Sequence, residues 1–219
     1  MPRALRFLLV LLLAGGCSRM PKIIILEDPL TAAEHVELGV AYERKGELDL
    51  ARREYERALR KEKDHFQARF NLGNVSMAKK EYGQARDEYL RALEIRPGDA
   101  DATNNLAWCA IFSGEEIEDA LARMEAVVSG PAGRRPVLLD TVGVLRMRAN
   151  RPGPAGEAFG EAEKLCVEAE ADSREPMQVD PGSPGVVSCP EDLRSEIREH
   201  RGELLKRFPA PSPPPALIR

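Results

Sequence analysis

The sequence predicts an all-α fold, a solenoid of about four stacked helix pairs closed by a C-terminal capping helix. Three observations carry that expectation. A pattern of small and apolar residues returns at steps of 34 to 36 residues, the composition favours helices, and the repetition stops where proline, glycine and acids take over. Repetition at such a period means stacked helical units rather than one globule. Only 5% of the 219 residues are aromatic, while Ala, Leu, Glu and Arg abound. That mixture suits helices packed through small residues better than β-sandwiches.

Residues 1–16 stand apart. Arg3 and Arg6 introduce an apolar run, Phe7 to Gly16, that stops at Cys17. A helix needs about 20 apolar residues to cross a hydrocarbon core, so this run is too short to span. A basic start, a short apolar centre and small residues before a stop describe a secretory signal peptide instead. The alternative, a buried N-terminal helix, would have to hide an uninterrupted LLVLLLAGG in a small domain. Ala14-Gly15-Gly16-Cys17 resembles the lipobox of bacterial lipoproteins, with Ala14 where leucine is commoner. The resemblance implies cleavage after Gly16 and lipidation of Cys17, through a thioether and on its new amino terminus. Several acyl chains, at ~0.8 kcal/mol per buried methylene, anchor a protein stably. Ser18 follows the cysteine in place of Asp, which favours the outer membrane, facing the periplasm. Residues 17–31 are then anchor and linker. Within them KIIILEDP is more apolar than a plain tether, so Ile23 to Leu26 pack on the array or pair as a strand with a partner, packing being favoured.

The repeats come next. Leu38, Gly39, Ala51, Tyr55 and Ala58 recur 34 residues on as Leu72, Gly73, Ala85, Tyr89 and Ala92. A third copy reads Leu106, Ala107, Ala120, Met124 and Val127, and a fourth Val142, Gly143, Ala155, Phe159 and Ala162. The units are 32–65, 66–99, 100–135 and 136–169. Small residues on one helix permit close approach of the next, and the bulky Tyr55, Tyr89, Met124 and Phe159 act as knobs. Gly46 and Gly114 fall just past a helix end, where left-handed geometry suits glycine. A lone pair cannot bury its apolar face, so pairs stack into a superhelix with a concave groove. These spacings resemble the tetratricopeptide repeat, which implies a right-handed array, and Pro97 closes the second unit as that family's proline does. The fourth copy departs most. Arg146 stands where the first helix usually has an aromatic, and Gly156 and Gly160 each cost the second helix about 1 kcal/mol relative to Ala.

Past the repeats, residues 170–187 are rich in Pro, Gly and acids and predict a flexible loop. Ser188 and Glu191 have capping-box spacing, with Pro190 near the helix start. Leu193, Ile197, Leu204 and Phe208 share one face of a capping helix over 188–208. Residues 209–219, PAPSPPPALIR, predict a disordered proline-rich tail that could also act as a proline-rich ligand.

Charge and motifs narrow the function. The formal charge is −4, and without residues 1–16, which hold two arginines and no acid, it is −6. That balance argues against nucleic-acid binding. The three histidines, His35, His65 and His200, are scattered, and no HExxH, phosphate loop, GxSxG or CxxC occurs. We expect no enzyme, no cofactor and no metal. With Cys17 committed to lipid, Cys109, Cys166 and Cys189 remain. Outside a reducing compartment Cys166 and Cys189 could form a disulfide fastening cap to array, worth ~3 kcal/mol by loop entropy. Three free thiols are the alternative, and Cys109, beside Trp108, reads as a core thiol.

In the family that the repeats resemble, the first helix of each pair lines the groove. Carried over, the lining is Val36, Glu37 and Val40; Phe70, Asn71, Asn74 and Met77; Asn104, Asn105, Trp108, Ile111 and Phe112; and Asp140, Thr141, Val144 and Met147. Apolar anchors among amides suit an extended or helical peptide, and Trp108, the single tryptophan, suits a hot spot. The alternative is that Phe70, Trp108 and Phe112 fill the interior or meet the tail. Some relatives clamp C-terminal carboxylates, but Ala33, Glu37 and Asp101 occupy the positions that would need Lys, Asn and Lys, so that mode is rejected. The resulting expectation is a membrane-anchored envelope lipoprotein that scaffolds protein–protein interaction in assembly of pilus, secretion or outer-membrane machinery. The alternative function is a non-catalytic accessory subunit or regulator of a cell-wall or secretion enzyme.

Overall fold

The computed structural model describes residues 28–130, 133–174 and 190–209, with backbone alone for 169–174. The signal segment, Cys17, most of the linker, Ser188, Cys189 and the tail from residue 210 lie outside the described residues. The chain divides into residues 1–30 and 31–219, and every described helix belongs to the second part.

Among the described residues there are nine helices and no strand: α1 (Ala32–Arg44), α2 (Leu48–Lys61), α3 (Phe66–Ala78), α4 (Tyr82–Ile95), α5 (Ala100–Ser113), α6 (Ile117–Val128), α7 (Pro136–Arg148), α8 (Pro152–Arg174) and α9 (Glu191–Arg207). Each helix packs mainly on its chain neighbours, and α1, α3, α5 and α7 also meet one another. That is a linear array of antiparallel pairs.

Local chemistry sets where the first helices begin. Positions 31, 65 and 99 are N-caps: Thr31 accepts from the Glu34 N–H at 3.2 Å, His65 from Ala68 at 3.3 Å, and Asp99 from Ala102 at 3.0 Å. Glu34 completes a capping box by accepting from the Thr31 N–H at 2.7 Å. Such caps contribute about 1 kcal/mol each by satisfying orphan helix donors. In the fourth pair Pro136 opens α7, a position that needs no N–H. Within each pair the turn passes through a left-handed residue: Gly46, Lys80, Gly114 and Asn150 have φ of 76°, 61°, 76° and 59°. The sequence marked two of these by glycine, while Lys80 and Asn150 accept the same geometry without it.

The pairs close through a small residue beneath a large one. A Cβ added at Gly39, Gly73 or Gly143 would overlap the ring of Tyr55, Tyr89 or Phe159 respectively. The glycines therefore meet the bulky knobs, not Ala51 and Ala85 alone. In the third pair Ala107 and Met124 take those places in one buried cluster. A thioether chain bends around a methyl group that a rigid ring could not accommodate. Ala51, Ala58, Ala85, Ala92, Ala155 and Ala162 are wholly buried.

Two boundaries differ from expectation. α8 continues to Arg174, into the stretch read as loop; VEAEADSR holds good helix formers, and Pro176 is the first breaker. α9 starts at Glu191 with Pro190 as N-cap and no side-chain cap bond, because a proline ring offers no acceptor. Glu191 and Asp192 in the first turn complement the helix dipole instead. Ile197 and Leu204 are buried, Leu193 and Phe208 partly so, so the apolar face of α9 covers α7 and α8.

Candidate partner groove

The first helices α1, α3 and α5 present the open part of the inner wall. Glu37 and Phe112 are exposed, and Val40, Phe70, Asn74, Met77, Asn104, Asn105 and Trp108 are partly buried. Val36, Asn71 and Ile111 are buried. Phe70 sits between rings, 5.9 Å from Phe66 and 5.9 Å from Tyr89, and so fills space between pairs. Phe112, at 55% the most accessible ring described, stacks on Tyr82 at 5.4 Å and lies 5.4 Å from Trp108. Tyr82, Phe112 and Trp108 form an aromatic shelf at the C-terminal end of α5.

The asparagines are tied into the wall. Tyr89 donates its hydroxyl to Asn74 Oδ1 at 2.8 Å, and Asn105 Nδ2 donates to the same oxygen at 3.0 Å. One repeat earlier, Asn71 bonds the Tyr55 hydroxyl, which donates to Glu43, and Asn71 Oδ1 accepts from Gln67 at 2.8 Å. Burial, chiefly, raises the pKa of both phenols far above the ordinary value, so both remain hydroxyl donors. Thr141 donates to Asn104 Oδ1 at 2.8 Å. These amides are thus held in one geometry. A preorganised wall loses little side-chain entropy when it binds.

In the fourth pair the structure corrects the expected lining. Asp140, Thr141, Val144 and Met147 are between 0% and 4% exposed, because α9 and the neighbouring helices cover them. His200 Nδ1 meets Asp140 Oδ1 and Oδ2 at 3.0 and 2.9 Å, and its ring lies 6.4 Å from Trp108 and 6.1 Å from Phe159. The hydrogen bond to Asp140 raises the His200 pKa. Sequence reading missed His200 and Tyr82 as members of this site. His200 was findable, since it falls three residues after Ile197 and four before Leu204, on the apolar face of α9. Tyr82 carried no signal, because it opens a second helix.

The other candidate chemistry is structural. Burial pushes the Cys109 thiol up to about 12, and its sulfur lies 3.3 Å from that of Met77. Cys166 is buried and disulfide-bonded, while Cys189 lies outside the described residues. Between α4, α5 and α6 lies a cavity of about 330 Å³ walled by Tyr82, Arg86, Cys109 and Ala120 among others. Among the described residues no cluster of three or more His, Cys, Asp or Glu could hold a metal ion. Nor is any described helix long and apolar enough to cross a membrane.

Comparison with known proteins agrees with this architecture. Residues 36–100 match the family model for the tetratricopeptide repeat. No curated protein matches the chain in sequence. Among solved structures, the chain is similar to MamA (residues 41 to end) from Desulfovibrio magneticus RS-1, with a TM-score of 0.56 and 16% identity, covering 80% of this chain and 93% of that one. It is similar to PilW, described as a widely conserved type IV pilus biogenesis factor, with a TM-score of 0.57, 13% identity and coverage of 83% and 79%. YrrB, described as a tetratricopeptide-repeat protein with an unusual peptide-binding site, gives 0.55, 16%, 81% and 87%. At these identities the likeness shows the fold, an all-α tetratricopeptide-repeat solenoid.

Proposed function

We propose that the chain is a lipid-anchored envelope scaffold whose groove between α1, α3 and α5 receives a peptide segment of a protein partner. The observation that carries this reading is the wall itself: fixed asparagines, Asn74 and Asn105, next to an accessible aromatic shelf at Trp108 and Phe112. Aromatic side chains in a largely preformed site supply binding energy, and placed amides supply direction. With α9 over the fourth pair, the binding surface belongs to the first three pairs. Support for the envelope comes from the Ala14-Gly15-Gly16-Cys17 sequence after a basic, apolar start. A peptide-binding neighbour and a pilus-biogenesis neighbour share the fold, which fits a role in assembling pilus, secretion or outer-membrane machinery.

Crosslinking pull-downs from bacterial envelopes test the groove. The double variant Trp108→Ala, Phe112→Ala is expected to lose the partners that the unaltered chain captures, with its helical melting profile retained. An identical partner set in both chains would overturn the groove. Mass spectrometry tests the anchor: the mature chain should begin at an acylated Cys17, and an unmodified Met1 start would overturn it.

A further inference from the structure

The aromatic shelf is the most accessible apolar feature of the inner wall, and the chain carries a segment suited to cover it. α9 runs from the Cys166 end of α8, where Arg194 donates to the Cys166 carbonyl at 3.4 Å, towards the start of α8, where Leu204 faces Gly156. Its last residues therefore leave at the end of the array where the α7–α8 turn lies. The α5 C-terminus with Phe112 and the α4 N-terminus with Tyr82 lie at that same end. Phe208 and Trp108 pack against one and the same buried cluster. From Pro209 the sequence reads PAPSPPPALIR. Such a stretch favours polyproline II, at about 3.1 Å per residue, so it reaches ~34 Å. The His200 ring lies 6.4 Å from that of Trp108, and Phe208 lies only about 12 Å further along the helix by its rise. Proline-rich segments in this conformation dock on aromatic-lined grooves with little loss of entropy.

We propose that the proline-rich segment after α9 lies across the Tyr82–Phe112–Trp108 shelf of its own chain and competes there with the partner peptide. The proposal rests on the groove reading above and adds a regulator to it, a built-in competitor.

Trp108 is the only tryptophan, so its fluorescence reports the shelf directly. We compare the full chain with one ending at Pro209. Shortening is expected to red-shift the emission and raise acrylamide quenching at least about twofold, because a stacked ring is shielded on one face. Adding a synthetic peptide of residues 209–219 should reverse both changes saturably. If the shortened chain fails to fold by circular dichroism, the full-length variant Pro213→Gly, Pro214→Gly, Pro215→Gly replaces it, with the same red shift expected. Unchanged emission and quenching in a folded variant overturn the proposal. A full-chain signal that depends on protein concentration also overturns it, by placing the segment on a second copy. The groove reading is judged separately, by partner capture with Trp108→Ala, Phe112→Ala, and can survive a null result here.

Discussion

His200 Nδ1 stands 2.9 Å from Asp140 Oδ2, joining α9 to α7 across 60 residues of chain. Asp140 is buried and the His200 side chain is only 22% exposed. The hydrogen bond to Asp140 raises the folded-state pKa of His200, with the charges of Asp140, Glu196 and Glu199 adding to it and desolvation opposing. A raised histidine pKa stabilises the fold fully below the unfolded value of about 6.5, and that contribution is lost as pH climbs through the folded value. Once the base-catalysed rise of intrinsic amide exchange with pH is divided out, α9 is therefore expected to be less protected at pH 8.5 than at pH 6, by about 1 kcal/mol in opening free energy. Hydrogen exchange of α9 measures this, and His200→Gln should erase the difference. A pH effect that persists in the variant would assign it to another group.

Gly73→Ala should cost about 2 kcal/mol in chemical denaturation, since overpacking of this kind typically costs 1–3. The new methyl group would overlap the Tyr89 ring. Adding Tyr89→Met copies the Ala107–Met124 arrangement of the third pair and should recover about 1 kcal/mol, a coupling that distant residues do not show. Simple additivity of the two changes would refute the steric account.

Arg146 holds Glu125 with Nε at 3.1 Å and Nη2 at 2.9 Å, and donates from Nη1 to the Pro154 carbonyl at 3.1 Å. Arg146→Met is expected to lower stability by about 1–1.5 kcal/mol, because a forked, partly buried ion pair is lost together with a tie between α7 and α8. Arg123, paired with Asp119 on the exposed face of α6 at 2.8 Å, is the contrast. Its replacement by Met should change stability by less than about 0.5 kcal/mol, the ordinary yield of an exposed pair.

The cysteines should separate by reactivity. With a thiol pKa near 12 in a buried site, Cys109 should alkylate in the native state at least about 100-fold more slowly than an exposed thiol, because the thiolate is the reacting form. Non-reducing peptide mapping should link Cys166 to Cys189, and reduction should lower stability by ~3 kcal/mol. Recovery of Cys189 as a free thiol would defeat that pairing.

Much of the fold was legible because glycine, alanine and one large residue must recur wherever two helices approach closely. Positions 39, 73 and 143 under 55, 89 and 159 announce the pairs in one dimension. Legibility stopped where contacts depend on how far the last helix leans. Nothing in the periodicity says that His200 will reach Asp140, so the fourth pair read as open groove while α9 covers it. The asparagines show a second limit. A polar residue on an inner wall reads as a ligand donor, yet Asn74 and Asn105 gain their direction from Tyr89, a residue legible only as a packing knob. Residue type announced the amides, and the hydroxyl that fixes them required coordinates.

The distribution of apolar burial has a consequence for how the molecule opens. The largest cluster runs from α5 through α8 to Leu204 and Phe208 at the end of α9, whereas the first pair and α3 share a smaller one. In a linear array, stability is a sum of local terms, and order spreads outward from the strongest block. The first pair, with the smaller buried cluster, is therefore expected to open before the block from α5 to α8, so that a partner seated on α1 and α3 would borrow part of its binding free energy to hold them closed.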